Sequence, residues 1–172
     1  MSSVFERLSK MKYKSVVWIF AITITIHNLE EAIWLPDWSP SVAGWLPRVG
    51  AFEFRFAVTL LTLIFYGIIY YFSVKENKWS AYLMYGLIAG MFFNVFIPHA
   101  MATILWGVYA PGVVTGILLN LPVTLYLLHR GMKEGLFDLK LFIGAGMAFG
   151  LGTLPLILVL FWIGRVISGS FI

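Results

Sequence analysis

The residues best suited to chemistry lie near the end of the first hydrophobic segment, in the order His27, Glu30 and Glu31. Spacings of three and four residues place these side chains on one face of a helix. A histidine nitrogen and a carboxylate oxygen one turn apart can bind the same divalent cation. A cation would also neutralise carboxylates that are costly to bury in an apolar medium. The pattern therefore predicts a metal site, and its nitrogen and oxygen donors favour zinc or iron.

The third hydrophobic segment supplies the remaining donors. His99 follows Pro98 directly, and Asn94 precedes it by five residues. Five residues do not suit an unbroken helix, but a proline kink can redirect the side chain that follows it. We predict His27, Glu31 and His99 as metal ligands, with Glu30, Glu53 or Asn94 as a further ligand. Asn120 in the fourth segment is a further polar residue near the same depth.

Three charged residues are predicted to act on a substrate. Glu30 or Glu53 is the expected general base, which would activate water at the metal. Arg55 is expected to hold a lipid phosphate or to neutralise developing negative charge. Without a metal, His27 paired with a glutamate could perform isomerisation or proton transfer.

The elements that must position these residues are membrane-spanning helices. The 172 residues are 60% hydrophobic and 12% charged, and a span needs about 20 apolar residues. We predict a single all-α transmembrane domain over 1–172, with a basic head at 1–14 and an outer interfacial segment at 37–50, after Pro36 ends the first span. No soluble catalytic domain fits beside the spans. The predicted spans are about 15–35, 52–74, 79–105, 111–129 and 141–163.

The distribution of basic residues predicts the orientation. Nine lysines and arginines fall on the side of the N-terminus and two on the other side, which places the N-terminus in the cytoplasm and the polar residues in the outer half. The nine are Arg7, Lys10, Lys12, Lys14, Lys75, Lys78, Arg130, Lys133 and Lys140, and the two are Arg48 and Arg165.

Other compositional features exclude some functions. Basic residues beside hydrophobic segments indicate membrane orientation rather than nucleic-acid binding. The absence of cysteine excludes disulfides, thiolate metal sites and cysteine nucleophiles.

Two further patterns predict helix packing rather than chemistry. Arg55, Thr59, Thr62 and Tyr66 share a helix face and can join the second span to a neighbour. Small residues four apart favour close helix contacts, and the glycines expected to pack in this way are Gly86, Gly90, Gly144, Gly150 and Gly152.

The motif residues also resemble a known family. The string His27-Asn28-Leu29-Glu30-Glu31 is similar to the signature of the HXXEE family of small bacterial integral membrane proteins. The stretches from Asn94 to His99 and from Tyr109 to Gly112 are similar to later motifs of that family. The resemblance implies a bacterial inner-membrane protein and adds no activity.

The leading hypothesis is a membrane-embedded, metal-dependent hydrolase or isomerase acting on a lipid or other hydrophobic small molecule near the outer leaflet. Its partners would be the bilayer, that substrate and, in a homo-oligomer, further copies of the chain. Three alternatives remain open. They are a proton- or cation-coupled transporter, a haem protein with His27 and His99 as axial ligands, and a non-catalytic subunit. In the last case Glu30, Glu31, Glu53 and Arg55 would form a structural ion-pair network.

Overall fold

The computed structural model describes residues 8–42, 49–75, 77–136 and 138–169 and contains no strand among them. Five helices are long and apolar enough to cross a membrane, which confirms the predicted all-α fold. Residues 1–7 of the predicted basic head and residues 43–48 of the predicted interfacial segment lie outside the described part. The helices are α1 (Tyr13–Val42), α2 (Ala51–Val74), α3 (Lys78–Trp106), α4 (Val113–Lys133) and α5 (Leu139–Ser168).

Polar residues fix where two of the helices begin. Asn77 Oδ1 accepts a hydrogen bond from the Ser80 backbone N–H at 2.8 Å, and Ser80 Oγ accepts one from the Asn77 N–H at 3.4 Å. This reciprocal pair satisfies two donors that the first turn of α3 leaves free. Asp138 similarly accepts from Leu141 N at 2.7 Å at the start of α5.

Apolar side chains of α1 to α4 fill the half of the bundle that contains the N-terminal end of α1. Tyr13 donates a hydrogen bond to the Leu127 carbonyl at 3.2 Å, which places the start of α1 beside the end of α4. The fully buried residues of this core include Val17, Phe20, Ile24, Ile69, Leu87 and Leu127.

The α5 helix packs against α2 and α3 through small residues. A Cβ on Gly90 would lie 2.6 Å from Phe149 Cδ1, and one on Gly86 would lie 3.1 Å from Phe149 Cβ. The predicted packing role of Gly86 and Gly90 is therefore confirmed. For Gly144, Gly150 and Gly152 the prediction is wrong, because a Cβ there would meet no described atom within 4 Å.

The first helix does not end at Pro36, as the sequence predicted, but continues to Val42. Proline lacks the N–H that would bond the carbonyl four residues earlier, which here belongs to Ala32. Arg55 of α2 donates from Nε to that carbonyl oxygen at 3.0 Å. A neighbouring side chain thus replaces the missing donor, so that the helix can pass through the proline.

The polar stripe of α2 joins this helix to α1, as its spacing predicted. Asn28 Nδ2 donates to Thr62 Oγ1 at 2.7 Å, and the Thr25 and Tyr66 hydroxyls lie 3.0 Å apart. Thr59 differs because it bonds within its own helix, to the Arg55 carbonyl. These contacts fix the depth and rotation of α1, and with them the face that bears His27.

The third helix has a wide turn at the predicted proline kink. The chain forms a π-helical turn over Val95–Ala100, and Ile97 leaves helical geometry with φ −128° and ψ 112°. A wide turn brings residues five apart onto one face. Asn94 and His99 consequently point to the same place, which resolves their unsuitable spacing.

Candidate metal centre

Four side chains from α1 and α3 converge on one point. Glu31 Oε1 lies 2.9 Å from His99 Nε2 and 3.5 Å from His27 Nε2. Asn94 Nδ2 lies 3.1 Å from each of the same two nitrogens. His27 and His99 are 0% and 2% exposed, so the two imidazoles are buried, while the Glu31 side chain is 17% exposed and Asn94 is half-buried. The predicted ligands His27, Glu31 and His99 thus meet.

With the Asn94 amide nitrogen facing the two rings, hydrogen bonding does not suit these four side chains. An imidazole nitrogen carries either a proton or a lone pair in the ring plane. A proton on His99 Nε2 could be donated to Glu31 but would then face the amide N–H of Asn94. A lone pair could accept from Asn94 but would then face the Glu31 carboxylate. His27 Nε2 faces the same two groups, and the conflict is therefore present twice.

Turning the Asn94 amide removes this conflict, because two Nε2–H groups would then face two oxygens. The oxygen and nitrogen of an asparagine amide are assigned from the surrounding network, so turning the Asn94 amide puts Oδ1 at the same corner. With Nε2 of both histidines unprotonated, four lone-pair donors then face one point, an arrangement that suits a cation. Zinc ligands at about 2.0–2.1 Å lie about 3.3–3.4 Å from one another at the corners of a tetrahedron. The four measured separations, from 2.9 to 3.5 Å, are close to that size.

Residues of α4 hold the imidazoles in place. Thr115 Oγ1 lies 2.9 Å from His27 Nδ1, and this hydrogen bond leaves Nε2 free to act as a ligand when Nδ1 carries the proton. Gly112 has φ +94°, and a Cβ on it would lie 2.5 Å from His99 Cε1 and 3.0 Å from His27 Cε1. Glycine is required there both by its backbone conformation and by the two rings.

Glu30 points away from this centre and caps α4. Its Oε1 accepts from the Gly112 N–H at 2.9 Å and from the Tyr109 hydroxyl, and its Oε2 accepts from the Thr115 N–H at 3.1 Å. Partial burial and the hydrogen bond to Glu30 raise the pKa of Tyr109 to about 12, so Tyr109 remains a protonated donor. A carboxylate is well placed at a helix N-terminus, where free N–H groups and the helix dipole favour negative charge.

The remaining predicted site residues lie elsewhere. No hydrogen bond or ion pair among the described residues joins Glu30, Glu53 or Arg55 to the three ligands. Glu53 is 6% exposed and packs against Gly164 of α5, while Arg55 bonds Ala32. The expectation that α2 contributes to a shared site is therefore not met. The first turn of α2 faces α5 and the C-terminal part of α1 instead.

Asn120 lies one turn below Thr115 on α4 and does not join the centre. It is 0% exposed, and neither Nδ2 nor Oδ1 has a hydrogen-bond partner among the described residues. Its carbonyl accepts from Thr124 Oγ1 at 2.8 Å. The side chain is therefore a buried amide that no described residue satisfies.

Sequence reasoning did not predict that the start of α4 and the loop before it contact Glu30 and the two imidazoles. Tyr109 and Gly112 belong to a stretch that was noted for its resemblance, but no spacing rule connects them with Glu30. Thr115 carries no signal at all, because a single threonine in an apolar helix is common.

The comparisons with known proteins place the chain in a family. The model of the family described as protein of unknown function with HXXEE motif matches residues 18–127, and the chain belongs to this family. The chain is 35% identical over 153 residues to the uncharacterized protein YrkK of Bacillus subtilis (strain 168), covering 87% of this chain and 95% of that protein. No solved structure matches it significantly. The motif residues are His27, Glu30 and Glu31. In this structure His27 and Glu31 belong to the candidate metal centre, whereas Glu30 caps the start of α4.

Proposed function

We propose that this protein is a membrane-embedded metalloenzyme in which His27, Glu31 and His99 bind a divalent cation, zinc or iron. The observation that carries the proposal is the convergence of two Nε2 atoms, a carboxylate oxygen and an amide on one point, at separations of 2.9 to 3.5 Å that suit the ligands of one ion. Two histidines and one glutamate also form a ligand set that catalytic zinc sites use.

The bound ion would supply Lewis acidity and, where Asn94 is not itself a ligand, lower the pKa of water at the fourth coordination position. The protein's own residues do the positioning. Thr115 orients His27, Gly112 leaves room for both rings, and Asn94 occupies the fourth corner, as a further ligand or as a donor to an incoming polar group. Glu30 is engaged with α4, so we do not assign it the role of base.

A hydrophobic substrate suits the surroundings of the centre. Phe96 and Ile97, in the turn that carries His99, are 43% and 62% exposed. Apolar side chains around a few convergent polar groups are typical of sites for small hydrophobic molecules. With the N-terminus in the cytoplasm, the centre would face the outer leaflet, and the substrate would be a lipid or another hydrophobic molecule reached there.

The metal itself is the first test. Full-length protein is purified in detergent without chelators, and bound zinc and iron are measured by elemental analysis. We expect about one equivalent in the native chain and in His129→Ala, whose exposed histidine lies at the other end of the bundle. His27→Ala, Glu31→Gln and His99→Ala should each lose it. An absence of stoichiometric metal in the native chain, even after incubation with zinc or iron, would overturn the proposal.

A structural metal centre is the second candidate, because the site joins three helices. α1 and α3 supply the ligands, and α4 holds both rings. Chelation would then lower the melting temperature strongly, while a panel of lipid esters and phospholipids would show no turnover. If the protein is an enzyme, Asn94→Ala is instead expected to retain the metal and the fold but to lose turnover.

A further inference from the structure

A second polar feature lies at the opposite end of the bundle, where α1 and α3 begin and α2 ends. A cavity of about 590 Å³ is lined there by Lys14, Lys75 and Lys78. No aspartate or glutamate among the described residues lines it, and Glu76 lies outside the described part. Three like charges around one cavity create a positive potential that attracts an anion.

The deeper part of the cavity is lined by apolar side chains. Its lining includes Phe72 and Tyr85, which are 7% and 1% exposed and belong to the bundle core, whereas Lys75 and Lys78 are exposed. Ala81 and Leu136 complete the apolar lining. A ligand that fits must therefore combine a negative charge at the mouth with an apolar part below it.

The position of the cavity identifies the class of ligand. Lys14, Lys75 and Lys78 all lie at the ends of membrane-spanning helices, the depth at which a bilayer presents its phosphates. Basic pockets between helices on the positively charged side of a membrane protein suit anionic lipid headgroups. We propose that this cavity binds one anionic phospholipid, with its phosphate among the lysines and its glycerol and upper acyl chain against Phe72 and Tyr85.

The test compares two triple variants of the full chain. The first replaces the cavity lysines, as Lys14→Gln, Lys75→Gln and Lys78→Gln. The control replaces exposed lysines of the same side that do not line the cavity, as Lys12→Gln, Lys133→Gln and Lys140→Gln. Retention of phosphatidylglycerol and of phosphatidylcholine is measured by native mass spectrometry and lipid titration.

The native chain and the control are expected to retain one phosphatidylglycerol in preference to phosphatidylcholine. The cavity variant should bind it about 100-fold more weakly, because each basic side chain contributes roughly fivefold in affinity. An equal loss in both variants would show diffuse surface charge and overturn the proposal. If inorganic phosphate at millimolar concentration displaced the bound phosphatidylglycerol, the assignment of a lipid as the ligand would be overturned. If the triple variant fails to fold, Lys78→Glu alone must weaken retention and Lys78→Arg must preserve it.

Discussion

Two neighbouring carboxylates perform different tasks at the residue scale. Glu31 faces the two imidazoles, whereas Glu30 accepts hydrogen bonds from two backbone N–H groups and a tyrosine at the start of α4. Sequence spacing could not separate them, because residues adjacent in a helix both lie near the same face. The tertiary contact with α4 decides between them.

This division predicts opposite phenotypes for the two amide variants. Glu31→Gln is expected to abolish metal binding with little loss of fold, since it removes a ligand and its charge. Glu30→Gln should retain metal but lower the free energy of unfolding by about 1 kcal/mol, the usual size of a cap. Elemental analysis and denaturant unfolding measure the two effects. Metal loss of equal extent in both variants would contradict the division.

Gly112 permits a controlled test of close approach. Gly112→Ala should cost more than backbone strain alone, because the added methyl group would overlap both imidazoles. Gly107 is the matched control, since it also has positive φ, +65°, but meets no described atom within 4 Å.

Gly107→Ala is expected to cost about 1 kcal/mol with metal retained, whereas Gly112→Ala should also lose the metal. Thermal unfolding and metal content of both variants decide this. Retained metal in Gly112→Ala would mean that the rings can move aside.

Replacement of Asn120 is predicted to raise the free energy of unfolding, whereas the glycine substitutions lower it. A buried amide without partners costs about 1–3 kcal/mol, so Asn120→Leu is expected to stabilise the protein by up to that amount. The control is Thr124→Val, which removes a hydroxyl that does bond a carbonyl and should not stabilise. Destabilisation by Asn120→Leu would show instead that internal water satisfies the amide.

At the scale of helices, one interaction explains how α1 exceeds its predicted length. Pro36 leaves the Ala32 carbonyl without a helical donor, and Arg55 supplies one from α2. Arg55→Gln should therefore destabilise the native chain by about 1 kcal/mol. In a Pro36→Ala background, where the backbone donor is restored, the same change should cost little. A double-mutant cycle in denaturant measures the coupling, and strict additivity would refute it.

Much of the helical architecture was predictable, and the reasons are specific. Apolar length identified five spans, and Pro98 marked the kink that lets Asn94 and His99 share a face. The path through Pro36 was not predictable, because the Ala32 carbonyl that lacks a helical donor is satisfied by Arg55, 23 positions from Ala32. For the site, a local i,i+4 pair and one histidine beyond a proline sufficed to find the three side chains that converge. Thr115 and Gly112 were not predicted, because their contacts with the imidazoles form only in the tertiary fold.

The whole bundle has two unlike ends. Near the start of α1 the interior is closed by Val17, Phe20 and Leu127, each fully buried, while His27, Glu31 and His99 lie toward the other end. A closed apolar half argues against a continuous polar relay across this chain, as a proton transporter would need. It suits a centre that is reached from one side.

The side of the membrane on which each end of the bundle lies can be measured by labelling introduced cysteines, since the chain contains no cysteine of its own. Five spans place the two ends of the bundle on opposite sides, and the basic residues predict that the start of α1 is cytoplasmic. In intact cells, Ser168→Cys should react with a membrane-impermeant maleimide, while Lys12→Cys should react only after permeabilisation. The reverse labelling would move the metal centre to the cytoplasmic half.

The contact of Gly112 with both imidazoles also provides a way to sort relatives. A chain can keep the histidine and both glutamates of the motif and still be unable to assemble this centre, if any side chain occupies the position corresponding to 112. That single position, rather than the motif that names the family, would then distinguish members able to hold the ion from members that have retained only the scaffold.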